Sequence, residues 1–182
     1  MRKFLATVVF LILILFAPYT LASTYAQENV EITSPPATPS NEYILPYPGM
    51  LPDNPLYKLK VLRDKIYDFF IKDPIKKAQF KLLMADKRMN MARMLSDQKG
   101  NNSLASDTIV DAVSYYSGAV NIFLSVNPHE ISTDGLGPRL KETGKAYLPI
   151  IADYIQTFES VDAEKLSDAY NTVVSNYQKL PK

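Results

Sequence analysis

Few side chains in this sequence are of the types that carry out catalysis. The chain has 182 residues, no cysteine and a single histidine, which excludes disulfides, thiolate metal sites, cysteine nucleophiles and multi-histidine metal sites. His129 is therefore the one imidazole that could act as a general base. It stands beside Glu130 between two predicted helices, where a lone histidine is usually exposed to solvent. We expect neither catalysis nor a bound cofactor.

A second arrangement that could do acid–base chemistry is the pair Glu159-Ser160. Helical enzymes that cleave cell walls carry a Glu-Ser pair, but Val161-Asp162 after it and the lack of a downstream glycine-rich Met-Gln segment do not fit them. Ser160 is predicted to cap a helix instead. The formal charge of +1 argues against a general nucleic-acid binder as well.

Methionine thioethers are the side chains that could bind a metal ion. The stretch Met89–Met94 resembles the thioether spacing used for Cu(I). On a helix Met91 and Met94 share a face, with Met84 two turns back, and neighbouring arginines disfavour a cation. Methionine also fills irregular gaps in helix seams. We favour packing, and keep a Cu(I) or stress sensor built on Met84, Met91 and Met94 as the alternative.

Charge is distributed unevenly along the chain. The segment from Pro55 to Lys99 carries 12 Lys/Arg and 5 Asp/Glu, whereas the segment from Gly100 to Lys182 carries 6 and 10. A basic helical hairpin that faces an anionic surface, such as lipid headgroups or a wall polymer, is one interpretation. A solvated face balanced by the acidic helices is the simpler one. The partner-binding candidates are Tyr43, Tyr47, Tyr57, Lys58, Lys76, Lys77 and Lys81.

The N-terminus has the pattern of an export signal over residues 1–26. Met1-Arg2-Lys3 is basic, and the uncharged apolar run Phe4–Ala17 is 14 residues long. A signal-peptide core has about 7–15 residues, and a spanning helix needs about 20. Cleavage is predicted after Ala22 or Ala26, and an uncleaved anchor remains the alternative. Either interpretation predicts that the rest of the chain lies outside the cytoplasm, secreted or tethered.

Two proline-rich segments follow. Residues 27–42 contain three prolines and several Ser/Thr, which predicts a disordered spacer before a helical domain over residues 43–182. The segment Tyr43–Pro55, here called the strap, has four prolines that forbid a helix before the last of them. We expect the strap to cross the helices and bury Leu45 and Leu51. The alternative is an aromatic groove for a partner peptide, formed by its tyrosines and Tyr57.

The remaining chain predicts about five helices in an antiparallel all-α bundle, because apolar residues recur at helical spacing and no convincing strand pattern occurs. Pro149 should kink the fourth helix. The predicted boundaries are Asp53 or Asn54 as the cap before Pro55, Asp73 as the cap of a helix from Pro74 to about Lys99, Ser103 or Ser106 as the third cap, Pro138 as the fourth start and Ser160 as the fifth cap.

The apolar positions distinguish the helices from one another. The second helix has apolar stripes on two sides, which predicts a central helix, and the alanines of one stripe predict close approach of a neighbour. The periodic residues are Leu56, Leu59, Leu62, Ile66, Phe69 and Phe70 in the first helix; Ile75, Ala78, Leu82, Ala85, Met89 and Ala92 in one stripe of the second; Ile109, Val113, Tyr116, Val120 and Phe123 in the third; Leu140, Tyr147, Ile151, Tyr154 and Phe158 in the fourth; and Leu166, Tyr170, Val173, Tyr177 and Leu180 in the fifth.

A longer motif spans the strap and the first helix. Residues 45–60 read Leu-Pro-Tyr-Pro-Gly-x-Leu-Pro-Asp-x-Pro-Leu-Tyr-x-x-Lys, and Asp73-Pro74 opens a further matching stretch that extends to Arg88. These residues resemble a bacterial family of exported or membrane-anchored helical domains of unknown function. The resemblance implies a location outside the cytoplasm and a helical fold, and it implies no activity.

Together these patterns predict a non-catalytic helical module outside the cytoplasm that binds an envelope protein or an anionic envelope surface. Membrane contact is expected through the N-terminal segment alone.

Overall fold

The computed structural model describes residues 43–126, 133 and 135–181. The predicted signal and spacer, and the loop with His129 and Glu130, lie outside this range. The described residues form five helices and no strand, which confirms the all-α bundle. The helices are α1 (Tyr57–Phe70), α2 (Pro74–Lys99), α3 (Asn102–Ser125), α4 (Leu136–Thr157) and α5 (Ser160–Lys179).

Local side-chain contacts explain where α2 begins and ends. The Asp73 carboxylate accepts a hydrogen bond from the Lys76 backbone N–H at 2.8 Å, which satisfies one of the free donors of the first turn. Gly100 ends α2 in the left-handed region with φ of 61°, a conformation that glycine adopts at low cost. The predicted bounds, Pro74 to about Lys99, are confirmed.

The predicted cap of α3 is wrong. Asn101 rather than Ser103 or Ser106 caps α3, because the left-handed Gly100 leaves the Asn101 side chain in place to accept from the Leu104 N–H at 3.2 Å. Ser106 instead lies buried, and its hydroxyl donates to Asp162 at 3.0 Å.

The starts of the other helices also shift from the predictions. Ser160 is the first residue of α5 and caps nothing, since the N-cap position belongs to Glu159, whose side chain makes no capping bond. The α1 helix begins at Tyr57, two residues after Pro55, and Asn54 accepts from the Leu56 N–H at 2.9 Å in the preceding turn. The α4 helix begins at Leu136, before Pro138.

The core lies among α2, α3, α4 and α5. Helix α2 packs along α3 through alanines that recur at seven-residue intervals on each helix and are fully buried, so that the two backbones approach closely: Ala78, Ala85 and Ala92 on α2, and Ala105, Ala112 and Ala119 on α3. The predicted alanine-bearing stripe of α2 is therefore confirmed as core.

Two buried tyrosines, Tyr116 and Tyr147, fill the core between α3 and α4. The rings of Tyr116 and Tyr147 lie 5.7 Å apart, both fully buried, and the Tyr116 hydroxyl donates to the Leu140 carbonyl at 3.1 Å. A Cβ atom at Gly144 would lie 2.5 Å from that hydroxyl, so glycine makes room for the ring. Tyr177, predicted to face inward, is instead exposed.

No helix among residues 43–126 and 135–181 is long and apolar enough to cross a membrane.

Candidate functional site

A buried carboxylate holds the start of the strap. The Tyr43 hydroxyl donates to Asp86 of α2 at 2.9 Å and lies 2.7 Å from the Thr143 hydroxyl of α4. The Tyr147 hydroxyl donates to the same carboxylate at 2.9 Å. Burial raises the pKa of Asp86, although hydrogen bonds from Tyr147 and Tyr43 stabilise its charged form. Asp86 therefore joins the strap to two helices.

Further along, the strap is held by its backbone carbonyls. Asn90 donates to the Pro46 carbonyl at 2.9 Å. The Lys60 ammonium of α1 donates to the carbonyls of Pro48 and Met50 at 3.1 and 3.2 Å, around the left-handed Gly49. Burial lowers the pKa of Lys60. This lysine explains the end of the Pro-Leu-Tyr-x-x-Lys motif, because it ties α1 to the turn of the strap.

The leucines of the strap are partly covered. Leu45 is half-buried and packs against the core, and Leu51 is half-buried. Lys99 at the end of α2 forms an ion pair with Asp53 near the other end of the strap. The strap is therefore attached to the helices at several points, but Leu45 and Leu51 are half-buried rather than buried as predicted.

Helix α1 faces the body with its polar side. The Asp64 side chain is buried, with only 6% of the residue exposed, and its carboxylate accepts from Arg63 at 2.8 Å. Asp68 pairs with Lys81 of α2 at 3.3 Å. The Tyr57 hydroxyl donates to the Met91 sulfur at 3.8 Å. The seam between α1 and α2 therefore combines ionic and hydrogen-bonding groups with one aromatic contact, in which the rings of Tyr67 and Phe80 lie 5.1 Å apart.

A buried arginine lies in the same region of α2. The Arg88 guanidinium stacks on the Tyr115 ring at 4.0 Å and donates to the Met84 carbonyl at 3.3 Å. Burial raises the pKa of Tyr57, and the positive charge of Arg88 opposes that rise. Within the described part of the chain, one carboxylate oxygen of Asp64, one of Asp68 and the Arg88 Nε are buried without a hydrogen-bond partner. The seam is thus incompletely satisfied, which lowers the cost of opening it.

The opposite side of α1 is apolar and exposed to solvent. Leu59 is 64% exposed, Phe69 79% and Phe70 70%. The exposed charged side chains of α1 are all basic, whereas both of its acidic residues, Asp64 and Asp68, face the body. We define the outer face of α1 as the apolar residues Leu59, Leu62, Ile66, Phe69 and Phe70 with the basic residues Lys58, Arg63 and Lys65.

The predicted partner-binding residues lie in different environments. Tyr47 is exposed, whereas the hydroxyls of Tyr43 and Tyr57 are directed at Asp86 and Met91 respectively. Their hydroxyls are therefore used within the fold.

The predicted lysines divide in the same way. Lys77 and Lys81 both lie near Asp68, at 3.9 and 3.3 Å. Lys58 and Lys76 are exposed. Of these lysines, Lys58 belongs to the outer face of α1.

The candidate metal ligands lie on α2. Met84 and Met91 are buried, Met94 is half-buried, and the Met91 sulfur accepts the Tyr57 hydroxyl. These are packing contacts, and none of them favours Cu(I). Among the described residues no group of three or more His, Cys, Asp or Glu could hold a metal ion.

Sequence reasoning missed the direction in which α1 faces. The apolar residues of α1 were used to predict a helix, and its polar residues were not used. Tyr57, Lys60, Asp64 and Asp68 recur at 3-4-4 spacing on the opposite side, which is a second stripe. That stripe indicates that polar groups attach α1 to the strap and α2.

Comparison with known proteins places the chain in a family without assigning a role. A family model described as a domain of unknown function, DUF5667, matches residues 49–180, from the turn of the strap to the end of α5. No curated protein and no solved structure matches the chain.

Proposed function

The chain belongs to the DUF5667 family, a domain of unknown function, and we propose that it is a non-catalytic module that binds a component of the cell envelope through the outer face of α1. The observation that carries this proposal is the exposure of five large apolar side chains on a single helix face. Scattered exposed apolar residues are ordinary, but a contiguous patch marks an interaction site.

The contacts under α1 support a role in presenting that face. Lys60 ties α1 to the strap carbonyls, and Asp64 and Asp68 direct their charges toward the body. The helix is thereby held with its apolar side outward before any partner arrives. Such preorganisation reduces the entropy that binding would otherwise cost.

The composition of the outer face supports binding rather than catalysis. Its side chains are leucine, isoleucine, phenylalanine, lysine and arginine, which supply contact area and positive charge. The apolar run Phe4–Ala17 and its basic start support export, and hence action outside the cytoplasm.

Single cysteines test both parts of the proposal, because the native chain has none. Leu62→Cys places a thiol on the outer face, and Asn171→Cys places one on the exposed surface of α5. A membrane-impermeant maleimide should label Asn171→Cys in intact producing cells. The same reagent should label Leu62→Cys at least fivefold more slowly in cells than in the purified protein.

Two results would refute separate parts of the proposal. If Asn171→Cys reacted only after lysis, the location outside the cytoplasm would be wrong. If Leu62→Cys reacted in cells as fast as in the purified protein while Asn171→Cys behaved as expected, the outer face would have no partner. Labelling of both variants after denaturation controls for thiol oxidation.

A further inference from the structure

We propose that the partner of the outer face is the surface of an anionic lipid bilayer. Helix α1 would lie flat at the headgroup level, with its apolar side chains at the acyl boundary and its basic side chains among the lipid phosphates. This inference rests on the proposed function, because it names the occupant of the same face.

The arrangement of side chains around α1 matches an interfacial helix. At about 100° per residue, Leu62, Ile66 and Phe69 lie within one sector, opposite the buried Asp64. Lys58 and Lys65 border that sector on one side and Arg63 borders it on the other. Long basic side chains at such borders can extend to phosphates while their stems remain among apolar groups.

The length of α1 fits a position in the interface. Its 14 residues extend over about 21 Å, which is less than the hydrocarbon thickness of about 30 Å. An interfacial helix normally exposes its polar face to water. Here the body of the protein takes that place, because Lys60 is bonded to the strap, Asp68 pairs with Lys81 of α2, and Asp64 is buried.

Charge distinguishes a bilayer from the other occupants. A second copy docked face to face would bring Lys58, Arg63 and Lys65 of one molecule near the same cations of the other, which is repulsive. An anionic wall polymer would satisfy the cations but offers no apolar phase for Phe69 and Phe70. An anionic bilayer supplies both components in one layer.

Tryptophan fluorescence tests the inference, since the native chain contains no tryptophan. Phe69→Trp reports from the outer face. The matched control is Val161→Trp, an exposed apolar position on α5 beside Glu159, Asp162 and Glu164. The full-length variants are mixed with vesicles of zwitterionic lipid alone or with one-third anionic lipid.

We expect the emission of Phe69→Trp to shift to shorter wavelength with the anionic vesicles and to be quenched by brominated acyl chains. The emission of Val161→Trp should not change. Because the N-terminal segment is the same in both variants, a difference between them reports α1 rather than that segment.

A charge variant tests the electrostatic part. Replacing Lys58 and Lys65 by glutamine in the Phe69→Trp background should weaken binding to anionic vesicles about thirtyfold, since each basic residue near the surface contributes about a fivefold factor. Arg63 is left in place because its guanidinium pairs with the buried Asp64. Raising the salt concentration should also weaken the binding of the Phe69→Trp protein, with its basic residues intact, to anionic vesicles.

Three outcomes would overturn the inference. The first is an equal shift with zwitterionic and anionic vesicles, and the second is no shift with either. The third is a lipid-free emission that is already at short wavelength, or becomes so as protein concentration rises, because this would show that protein covers the face. If cell labelling still showed protection of Leu62→Cys, the binding module would stand and its partner would not be lipid.

Discussion

Helices α1 and α2 show how similar sequence patterns reach opposite outcomes. Both have apolar residues at helical spacing. Helix α2 buries its apolar residues on two sides, whereas the one residue of α1 that is buried is Asp64. The spacing of apolar residues therefore predicted which face of each helix is apolar, but not whether another part of the protein covers that face. What covers the face depends on which helices or loops of the same chain pack beside it.

The physical difference lies in the contacts available to each helix. The buried alanines of α2 allow α3 to approach closely along its length, and apolar burial stabilises that seam. Helix α1 has one aromatic contact with α2, between Tyr67 and Phe80. It is otherwise joined by the ionic and hydrogen-bonding contacts of Lys60, Asp68 and Tyr57. Ionic contacts of this kind add little net stability. We therefore expect α1 to open at a lower free-energy cost than α2.

The largest difference is expected when the same residue type is truncated on each helix. Leu82 of α2 is fully buried, and Leu82→Ala should lower the free energy of unfolding by about 2–5 kcal/mol. Leu62 of α1 is exposed, and Leu62→Ala should change it by less than about 0.5 kcal/mol. Chemical denaturation of both variants measures the contrast. Equal losses would show that the outer face of α1 is covered within the free protein.

The next effect concerns the carboxylate that joins the strap to the body. Asp86→Ala leaves the hydroxyls of Tyr43 and Tyr147 without their acceptor, and should cost about 1–3 kcal/mol. The same truncation at the exposed Asp111 of α3 serves as the control and should have little effect. A loss at Asp111 as large as that at Asp86 would contradict the assigned role of the buried contact.

Asp86 also predicts a pH dependence. Because burial raises its pKa in the fold, the folded state holds this proton more tightly than the unfolded chain does. The resulting stabilisation is present below the ordinary value of 3.8 and is lost as pH rises through the folded pKa. The stability of the native chain relative to Asp86→Asn should therefore fall over that window in denaturation series. A rise over the same window would show that the pKa of Asp86 is lowered.

A smaller effect is expected where the strap holds α1. Lys60→Met keeps the aliphatic stem but removes the ammonium that donates to Pro48 and Met50, and should cost about 1 kcal/mol after allowance for partial exposure. Hydrogen exchange should accelerate in α1 and remain unchanged in α2. The exposed Lys58→Met is the matched control. Uniform acceleration in both helices would contradict a local role for Lys60.

The smallest effect separates two assignments of the α3 cap. Asn101→Ala removes the acceptor of the Leu104 N–H and should cost about 0.5–1 kcal/mol. Ser103→Ala should change the free energy of unfolding by less than about 0.3 kcal/mol, because Ser103 is the second residue of α3 and its side chain is exposed. Thermal unfolding of the two variants is sufficient. A larger loss of stability for Ser103→Ala than for Asn101→Ala would show that Ser103, as predicted from the sequence, is the cap.

Much of the α2 region could be predicted because its signals are local. Asp73 before Pro74 and Gly100 after Lys99 are start and stop signals that act through nearby backbone groups. The third cap was wrong because Asn101 and Ser103 are both acceptable cap residues, and the left-handed turn at Gly100 decides between them. The Tyr43, Asp86, Thr143 and Tyr147 cluster could not be predicted, since it joins residues up to about a hundred positions apart.

The sequence by itself determined the helical class, the strap, the buried alanine-bearing stripe of α2 and the narrow range of chemistry that one histidine and no cysteine allow. These properties follow from composition, proline placement and periodicity, which act over a few residues. Tertiary structure alone decided that α1 turns Asp64 inward and Phe69 outward. That choice depends on where the strap carbonyls, α2 and Lys60 meet, which is set by packing between distant segments rather than by local spacing.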